Sequence, residues 1–174
     1  MQKMKVIILG AGGHGKVVAD AVVKENKFEL MGFADDSVSV GTIIYGNYKV
    51  ICNSTDLNKH AEGFILAIGN NKIRAEKYNA LKSDMIPVTI VHPFSSLASN
   101  VIIGEGTVIL AGVVINASVV IGENCIINSK ALVDHDSIIG NHSHLGQASV
   151  VGSGNKLDEY HHVIQNENLF SAYH

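Results

Sequence analysis

Residues 103–151 have the sequence IGEGTVILAGVVINASVVIGENCIINSKALVDHDSIIGNHSHLGQASVV, in which an aliphatic residue returns at every sixth position. The series continues beyond this stretch, and each member is isoleucine, leucine or valine: Ile103, Ile109, Ile115, Ile121, Ile127, Val133, Ile139, Leu145, Val151, Leu157, Val163 and Leu169. Strands repeat every two residues and α-helices about every 3.6, so this period fits neither element alone. The spacing predicts a stack of short strands joined by turns.

A parallel β-helix explains this period physically. Three hexapeptides form one coil with three flat walls, and the aliphatic residues point inward and stack from coil to coil, which buries a continuous apolar column. The preceding residue is also apolar at Val108, Val114, Val120, Ile126, Leu132, Ile138 and Val150. Glycine often follows the aliphatic residue, and we expect it to form corners with positive φ: Gly104, Gly122, Gly140, Gly146 and Gly152. An up-and-down antiparallel sheet stays open as the alternative.

The N-terminal half alternates between strand-like apolar runs and helix-like segments. The predicted strands are residues 5–9, 28–34, 63–68 and 88–91, and the predicted helices are residues 16–25 and 72–82. This β-α-β order predicts a small Rossmann-like parallel sheet. The chain therefore divides into a Rossmann-like domain (1–91), a linker (92–100) and a β-helix domain (101–174). The β-helix is expected to become irregular from about residue 153, because glycine disappears after Gly154 and polar residues replace the outer apolar ones at Lys156 and His162.

A glycine-rich turn, Gly10-Ala11-Gly12-Gly13-His14-Gly15, follows the first predicted strand and precedes the first predicted helix. It fits the G-x-G-x-x-G pattern, in which backbone N–H groups at a helix N-terminus receive a phosphate. Asp35 and Asp36 follow about 20 residues later, where an acidic side chain can hold a ribose hydroxyl. NAD and a nucleotide-sugar diphosphate both satisfy this chemistry, and close packing alone also explains the glycines.

Four features occur together in one order along the chain. They are the glycine-rich turn, Asp35-Asp36, Ala67-Ile68-Gly69-Asn70-Asn71 with Arg74, and the hexapeptides with Val133-Asp134-His135-Asp136. In this combination the chain resembles the sugar O-acyltransferase family of sialic acid biosynthesis, which includes trimeric N-acetyltransferases of UDP-linked 4-amino sugars. The resemblance covers about residues 3–152. It implies a left-handed β-helix, a homotrimer, an N-terminal domain that binds the nucleotide sugar, and acetyl-CoA bound by the β-helix between neighbouring subunits.

The resemblance also implies roles for the matching residues. His135 matches the general base that takes a proton from the attacking amine or hydroxyl, Asp136 matches its acidic partner, and Asn128 matches a position near the reacting thioester. The cosubstrate acetyl-CoA is expected to contact His144, Gly146 and Gly152. The nucleotide sugar, expected to be a UDP-amino sugar, is expected to contact Gly12, Gly13, His14, Asp35, Asp36, Gly69, Asn70 and Arg74.

Several alternatives stay open at this point. His135, Asp136 and His144 could form a zinc site, although their spacing is not a usual zinc signature. A corner turn also explains Asn128, because Asn116 has the same hexapeptide position, and His144 is also explained as a structural residue. The C-terminus is short relative to the family pattern, which favours a second function: a non-catalytic trimer that binds a sugar nucleotide with an incomplete acetyl-CoA site. A dinucleotide-binding regulator or redox enzyme is the third.

Composition argues against other classes of partner. The 174 residues carry a formal net charge of -3, so nothing attracts the chain generally to nucleic acid or an anionic membrane. No stretch is apolar over the length that a membrane span needs. The two cysteines, Cys52 and Cys125, form no disulfide framework. The sequence therefore predicts a cytoplasmic enzyme that needs no metal and neither binds nucleic acid nor inserts into membranes.

Overall fold

Residues 2–170 are described by a computed structural model, in which the chain forms two packed domains. The N-terminal domain contains β1 (Lys5–Leu9), α1 (Gly13–Glu25), β2 (Glu29–Ala34), β3 (Ile43–Tyr45), β4 (Tyr48–Cys52), a 3-10 helix (Leu57–Lys59), β5 (Gly63–Leu66), α2 (Asn71–Leu81) and β6 (Ile86–Pro87). Helix α1 begins three residues before the predicted start because the end of the glycine-rich turn is already helical. None of the helices among the described residues is long and apolar enough to cross a membrane.

The N-terminal sheet has the strand order β3-β4-β2-β1-β5-β6. Every neighbouring pair is parallel except β3 and β4, and the buried central strand β1 lies beneath the apolar face of α1. This arrangement confirms the Rossmann-like domain. The β3–β4 hairpin lies between the predicted strands, where no element was predicted. Its signal in the sequence is weak and consists of two short apolar runs on either side of Gly46, which has a positive φ.

The C-terminal domain consists of two-residue strands, one in each hexapeptide. They are β7 (Ile90–Val91), β8 (Ser96–Leu97), β9 (Ile102–Ile103), β10 (Val108–Ile109), β11 (Val114–Ile115), β12 (Val120–Ile121), β13 (Ile126–Ile127), β14 (Leu132–Val133), β15 (Ile138–Ile139), β16 (His144–Leu145), β17 (Val150–Val151), β18 (Lys156–Leu157), β19 (His162–Val163) and β20 (Asn168–Leu169). They form three parallel sheets: wall 1 (β7, β10, β13, β16, β19), wall 2 (β8, β11, β14, β17, β20) and wall 3 (β9, β12, β15, β18). The predicted left-handed parallel β-helix is therefore confirmed.

Both ends of the β-helix differ from the prediction. Strands β7 and β8 already belong to its first coil, so residues 92–100 are part of the β-helix rather than a linker. At the other end, β18 to β20 keep the same parallel pairing, although irregularity was expected from about residue 153. The inward aliphatic residue of each of these repeats is retained, and the polar outer residues face solvent, where they do not interrupt the apolar column.

The inward direction of the six-residue series is confirmed. Its members from Ile109 to Val151 are no more than 1% exposed, and the outermost members pack against the same core. A second inward position, the fifth of each hexapeptide, carries small buried residues: Thr107, Val113, Val119, Cys125, Ala131, Ser137, Ser143 and Ser149. Where these carry hydroxyls, they donate to backbone carbonyls at the second hexapeptide position, as Ser137 does to Gly152 at 2.8 Å, so their polarity is compatible with burial.

The expectation of positive φ at the glycine after the aliphatic residue was wrong. Positive φ occurs two residues later, at the fourth position, where most residues are not glycine: Ser118, Asn124, Lys130, Asp136, His142, Ala148, Tyr160 and Asn166. The early glycine serves a different purpose. A Cβ atom on Gly122 would lie 2.7 Å from the backbone nitrogen of Asn141 in the next coil, so only glycine lets the coils approach at that point.

Gly122→Ala is expected to lower the free energy of unfolding by about 2–4 kcal/mol, because the added methyl group meets the backbone of the adjacent coil. Gly154→Ala is the matched control. It lies at a positive-φ corner with open space around the Cβ position, and Ala148 already has that conformation one hexapeptide earlier. The control should cost about 1 kcal/mol. Urea denaturation of both variants checks the prediction, and equal losses would contradict the close-approach explanation.

Candidate functional site

The glycine-rich turn combines packing glycines with open ones. Gly10 has φ +113°, and a Cβ atom there would lie 2.8 Å from the Ala67 carbonyl oxygen, while a Cβ atom on Gly15 would clash with the Gly10 carbonyl. Gly12 and Gly13 have open space instead. Gly12 is also the N-cap of α1 and provides no side chain to bond the first N–H groups. Close packing therefore explains two glycines, and the other two leave the helix N-terminus accessible.

The carboxylates of Asp35 and Asp36 are both hydrogen-bonded within the domain. Asp35 accepts from the Ala11 backbone N–H at 2.8 Å, which ties the end of β2 to the glycine-rich turn. Asp36 accepts from the backbone N–H and hydroxyl of Ser54, and these bonds lower the pKa of the Asp36 carboxyl. These bonds leave lone pairs on the carboxylate oxygens that can accept from a ligand hydroxyl. The contact of Asp35 or Asp36 with the nucleotide sugar stays a prediction.

His14 and His144 meet at the junction of the two domains. His14 lies in the first turn of α1, His144 begins β16, and their ring centroids are 6.3 Å apart. Burial, with a smaller contribution from the Arg74 charge, lowers the pKa of His14 to about 4. Its Nε2 atom is buried and has no hydrogen-bond partner among the described residues. A neutral imidazole nitrogen is therefore buried without a hydrogen-bond partner, on a ring that lies beside His144.

His144 has neighbours on both domains. Its Nε2 lies 3.4 Å from Asn128 Nδ2 and its Nδ1 lies 3.4 Å from the Gly69 carbonyl oxygen, an arrangement that fits a neutral ring with the proton on Nδ1. His162, one coil further, stacks on it with centroids 4.8 Å apart. Burial and then the neighbouring His162 lower the pKa of His144 to about 4. The structure thus brings together Gly69, Asn128 and His144, which are far apart in sequence.

Arg74 takes a different place from the predicted substrate contact. Its side chain is 1% exposed, and its N–H groups donate to protein oxygens on both domains. The acceptors are the carbonyls of Ile68, Gly69, Asn124, His142 and Ser143 and the side-chain oxygen of Asn71. Every donor of the guanidinium is used by the protein, so none is left for a ligand.

His135 and Asp136 lie at another corner of the β-helix. They follow β14 on wall 2, whereas Asn128 and His144 belong to wall 1 and the corner after it. His135 Nδ1 is 2.7 Å from Asp136 Oδ2, and the exposed ring keeps its Nε2 side open. The hydrogen bond to Asp136, with the charges of Asp134 and Asp136, raises the pKa of His135. One chain therefore does not bring His135 together with Asn128 and His144.

Gly146 and Gly152 have the packing role of other glycines after inward residues. A Cβ atom on Gly146 would lie 2.7 Å from the Gln165 backbone nitrogen, and one on Gly152 would lie 2.9 Å from the Phe170 ring. Packing alone requires glycine at Gly146, where the obstacle is backbone. The contact of Gly146 and Gly152 with acetyl-CoA stays a prediction. Glycine has no side chain, so such a contact would involve the backbone.

A cavity of about 590 Å³ lies beside His144, between the N-terminus of α2 and the last coils. It is lined by Gly69, Asn70, Asn71, Lys72, Tyr160 and His162. The side chain of Asn70 is partly occupied, because its oxygen caps α2 by accepting from the Ile73 N–H at 3.1 Å. Tyr160 and His162 were not predicted as site residues because their segment was expected to be irregular. The inward residues Leu157 and Val163 keep the six-residue period on either side of Tyr160 and His162, and this period was the signal that the β-helix continues.

Metal-ligating residues do not cluster within residues 2–170. No group of three or more histidine, cysteine, aspartate or glutamate side chains is arranged there to hold a metal ion. The zinc alternative needed His135 and His144 together, and the two lie at different corners. Cys52 and Cys125 are free and buried, and burial raises the pKa of the Cys125 thiol to about 11.

Acid is expected to destabilise the folded protein between about pH 6.5 and 4. Four histidines have a pKa lowered mainly by burial: His14, His92, His142 and His144. In this range the unfolded chain binds protons that the folded chain does not bind. The stability contributed by the neutral rings is therefore fully present above pH 6.5 and falls as the pH drops. His14 and His144 should each contribute on the order of 2–3 kcal/mol. Urea denaturation at a series of pH values checks the slope.

His14→Asn should flatten this pH dependence, because it removes one of the buried titrating rings. His60→Asn, at an exposed position outside the site, is the control and should leave the slope unchanged. An unaltered slope in the His14 variant would contradict the assignment of a buried neutral ring.

Comparison with known proteins identifies the domain architecture. Residues 5–81 match the family model of the PglD N-terminal domain. Over 115 residues the chain is 35% identical to UDP-N-acetylbacillosamine N-acetyltransferase of Bacillus subtilis (strain 168), an alignment that covers 61% of this chain and 51% of that enzyme. The chain thus spans about half the length of this curated relative.

Solved structures resemble both domains together. PerB from Caulobacter crescentus, in complex with CoA and GDP-perosamine, is 30% identical with a TM-score of 0.76, over 94% of this chain and 82% of that one. The acetyltransferase domain of PglB from Neisseria gonorrhoeae FA1090, in complex with acetyl coenzyme A, has a TM-score of 0.79 at 24% identity over 96% and 93%. The second likeness concerns the fold alone. Taken with the motifs and the two-domain fold, these matches show that the chain belongs to the family of sugar acyltransferases that join a PglD N-terminal domain to a left-handed β-helix.

Proposed function

We propose that the protein transfers an acetyl group from acetyl-CoA to the amino group of a nucleotide-activated sugar. The observation that carries this proposal is the exposed His135–Asp136 pair on a β-helix whose relatives are named as sugar N-acetyltransferases or are bound to CoA. Transfer to a sugar hydroxyl would follow the same chemistry. The relative named as an N-acetyltransferase favours the amine as the acceptor. The two free, buried cysteines are consistent with action in the cytoplasm.

His135 acts as the general base in this proposal. In the neutral ring, Nδ1–H donates a hydrogen bond to the Asp136 carboxylate, which leaves Nε2 unprotonated on an exposed side chain. Nε2 takes a proton from the sugar amine as the nitrogen forms its bond to the acetyl carbon. The carbon–sulfur bond of the thioester then breaks, and the proton passes to the departing sulfur. The thioester is already activated, so neither a metal nor a covalent acyl-enzyme is required.

Asn128 and His144 are proposed to lie near the thioester oxygen. Asn128 is 5% exposed, and its side-chain oxygen accepts from the Ser129 N–H at 2.8 Å, which orients Nδ2 toward His144. An oriented amide donor of this kind can stabilise negative charge that develops on a carbonyl oxygen. The corner-turn explanation of Asn128 is compatible with this role, since the same bond holds both the turn and the amide.

The nucleotide sugar is proposed to bind along the N-terminal domain. The accessible N-terminus of α1 at Gly12 and Gly13 suits a diphosphate, because its N–H groups lack a side-chain cap. His14, Gly69 and Asn70 continue this surface to the cavity beside His144. A UDP-linked amino sugar is the first candidate because the curated relative acts on one.

The complete site is proposed to form between subunits of a homotrimer. His135 occupies a different corner from Asn128 and His144, so a second chain is needed to supply it if all three act together. Six of the outward positions of walls 2 and 3 are apolar residues that are at least partly exposed, which suits burial against another copy. They are Ile102, Val114, Val120, Leu132, Ile138 and Val150.

Thiol release from acetyl-CoA in the presence of a panel of UDP- and GDP-linked amino sugars tests the proposal. We expect CoA release only with an amino sugar, together with a product heavier by one acetyl group in mass spectrometry. Binding of a nucleotide sugar without binding of CoA would instead favour the scaffold trimer. Tight binding of NAD(H) or NADP(H), with no transfer to any sugar, would favour a dinucleotide-binding protein.

A further inference from the structure

Arg74 is a buried cation without a carboxylate partner. It is 1% exposed, and within the part of the chain that the structure describes no ion pair neutralises it. Burial lowers the pKa of Arg74 only to about 10, so the guanidinium stays charged at neutral pH. A buried charge is costly unless its hydrogen bonds are complete, and an apolar side chain would fill the same space at lower cost. The guanidinium therefore needs an explanation beyond packing.

The hydrogen bonds of Arg74 connect two segments of the candidate site. Nη1 donates to the carbonyl oxygens of Ile68 at 3.0 Å and Gly69 at 3.4 Å, in the loop that precedes α2. Nη2 donates to the carbonyl oxygens of His142 at 2.7 Å and Ser143 at 3.2 Å, in the segment that leads into His144. A single rigid group thus sets the distance between the Gly69 loop and the start of β16.

Two further hydrogen bonds of the guanidinium reach the β-helix and α2. Nε donates to the Asn124 carbonyl oxygen at 3.0 Å, one coil before His142, and Nη2 also bonds the Asn71 side chain at 2.9 Å. Arginine presents five donors in a planar fork, whereas lysine presents a single flexible ammonium group. The hydrogen bonds of Arg74 therefore depend on the planar shape of the guanidinium as well as on its charge.

We infer that Arg74 is a positioning residue for acetyl transfer: by holding the Gly69 loop and the His142–Ser143 segment together, it sets where the His144 ring lies relative to the N-terminal domain. This inference rests on the proposed function. It is consistent with the contact of His144 Nδ1 with the Gly69 carbonyl, an oxygen that also accepts from Arg74. The Arg74 charge also contributes to the lowered pKa of His14 and of His144.

Three variants separate positioning from simple structural support. Arg74→Met removes the charge and the fork, Arg74→Lys keeps the charge without the fork, and Tyr78→Phe is the matched control. Tyr78 also lies on α2, is buried, and crosses to the β-helix by donating to Glu123 at 3.0 Å. Its hydrogen bond does not involve the Gly69 loop or the His142–Ser143 segment, so it reports the cost of losing an interdomain contact alone.

The first measurement is an NMR titration of the His144 ring, identified by its loss in His144→Gln. The groups that face this ring are Asn128, the Gly69 carbonyl, His14, His162 and, further away, the Arg74 charge. We expect Arg74→Lys, which keeps the charge, to raise the pKa of His144 because a displaced ring is less buried, whereas Arg74→Met also removes the charge that lowers this pKa. Tyr78→Phe should leave the titration unchanged. This readout does not depend on turnover.

The second measurement is the rate of acetyl transfer. Arg74→Lys should lower kcat by about 10- to 100-fold, because a displacement of about 1 Å is costly to a reaction that depends on orientation. Its KM for acetyl-CoA should change little, and Tyr78→Phe should retain wild-type kcat. Arg74→Lys retains a cation, so the test does not depend on whether Arg74→Met folds.

Variants of Arg74 that keep the wild-type His144 titration and kcat, while losing stability as Tyr78→Phe does, would overturn the inference. If the wild-type protein acetylates no sugar nucleotide, the proposed function fails separately. The His144 titration of Arg74→Lys, which keeps the charge, then still decides whether Arg74 positions this ring.

Discussion

His135→Ala is expected to lower the rate of acetyl transfer by about 10²- to 10⁴-fold, the range that a general base contributes. The loss should appear in kcat rather than in the KM for either substrate, because the ring takes a proton only as the new bond forms. The side chain is exposed, so the variant should fold normally. Thiol release from acetyl-CoA with the best sugar of the panel measures the effect.

His60→Ala is the matched control, since it removes another exposed histidine outside the candidate site. The wild-type rate should rise with pH through a pKa above 6.5, because the base must be neutral and its pKa is raised by Asp136. Asp136→Asn should move this inflection downward. Turnover that survives His135→Ala would remove the ring from its proposed role.

Mixed trimers of His135→Ala and His144→Ala are expected to recover activity that neither variant has alone. If each site takes His135 from one subunit and His144 from its neighbour, any mixed ring of three contains one site with both histidines. Trimers purified through two different tags should therefore have about a third of the wild-type rate. Co-expression followed by tandem purification and the thiol-release assay provides the measurement.

The control is a tandem-purified trimer of wild type with the double variant His135→Ala/His144→Ala, which checks that tagged mixed trimers assemble and turn over. Activity in the control with none in the complementing mixture would mean that both histidines act within one chain. Failure to recover any species carrying both tags would contradict the oligomer itself.

The candidate site could be predicted from the sequence only in part. His135, Asp136, Asn128 and His144 were predicted from the family resemblance, and the structure places the first two at the corner after wall 2 and the other two on wall 1 or the corner after it. The repeat implies this separation, because successive hexapeptides lie on different walls, but it does not say which corners face a partner subunit. Tyr160 and His162 were overlooked for a different reason: the loss of glycine and the polar outer residues led to the expectation of an irregular segment, although the inward series continues to Leu169.

The sequence by itself determined the β-helix, the Rossmann-like domain and the glycine-rich turn, since all three depend on patterns that repeat or lie within a few residues. The tertiary structure alone decided that coil-to-coil contact explains the glycines after the inward residues, and that the β-helix already begins at Ile90. It also changed Arg74 from a ligand contact to a link between the domains. Its partners on the β-helix lie 50 to 69 residues away in the chain, and no local pattern specifies contacts at that separation.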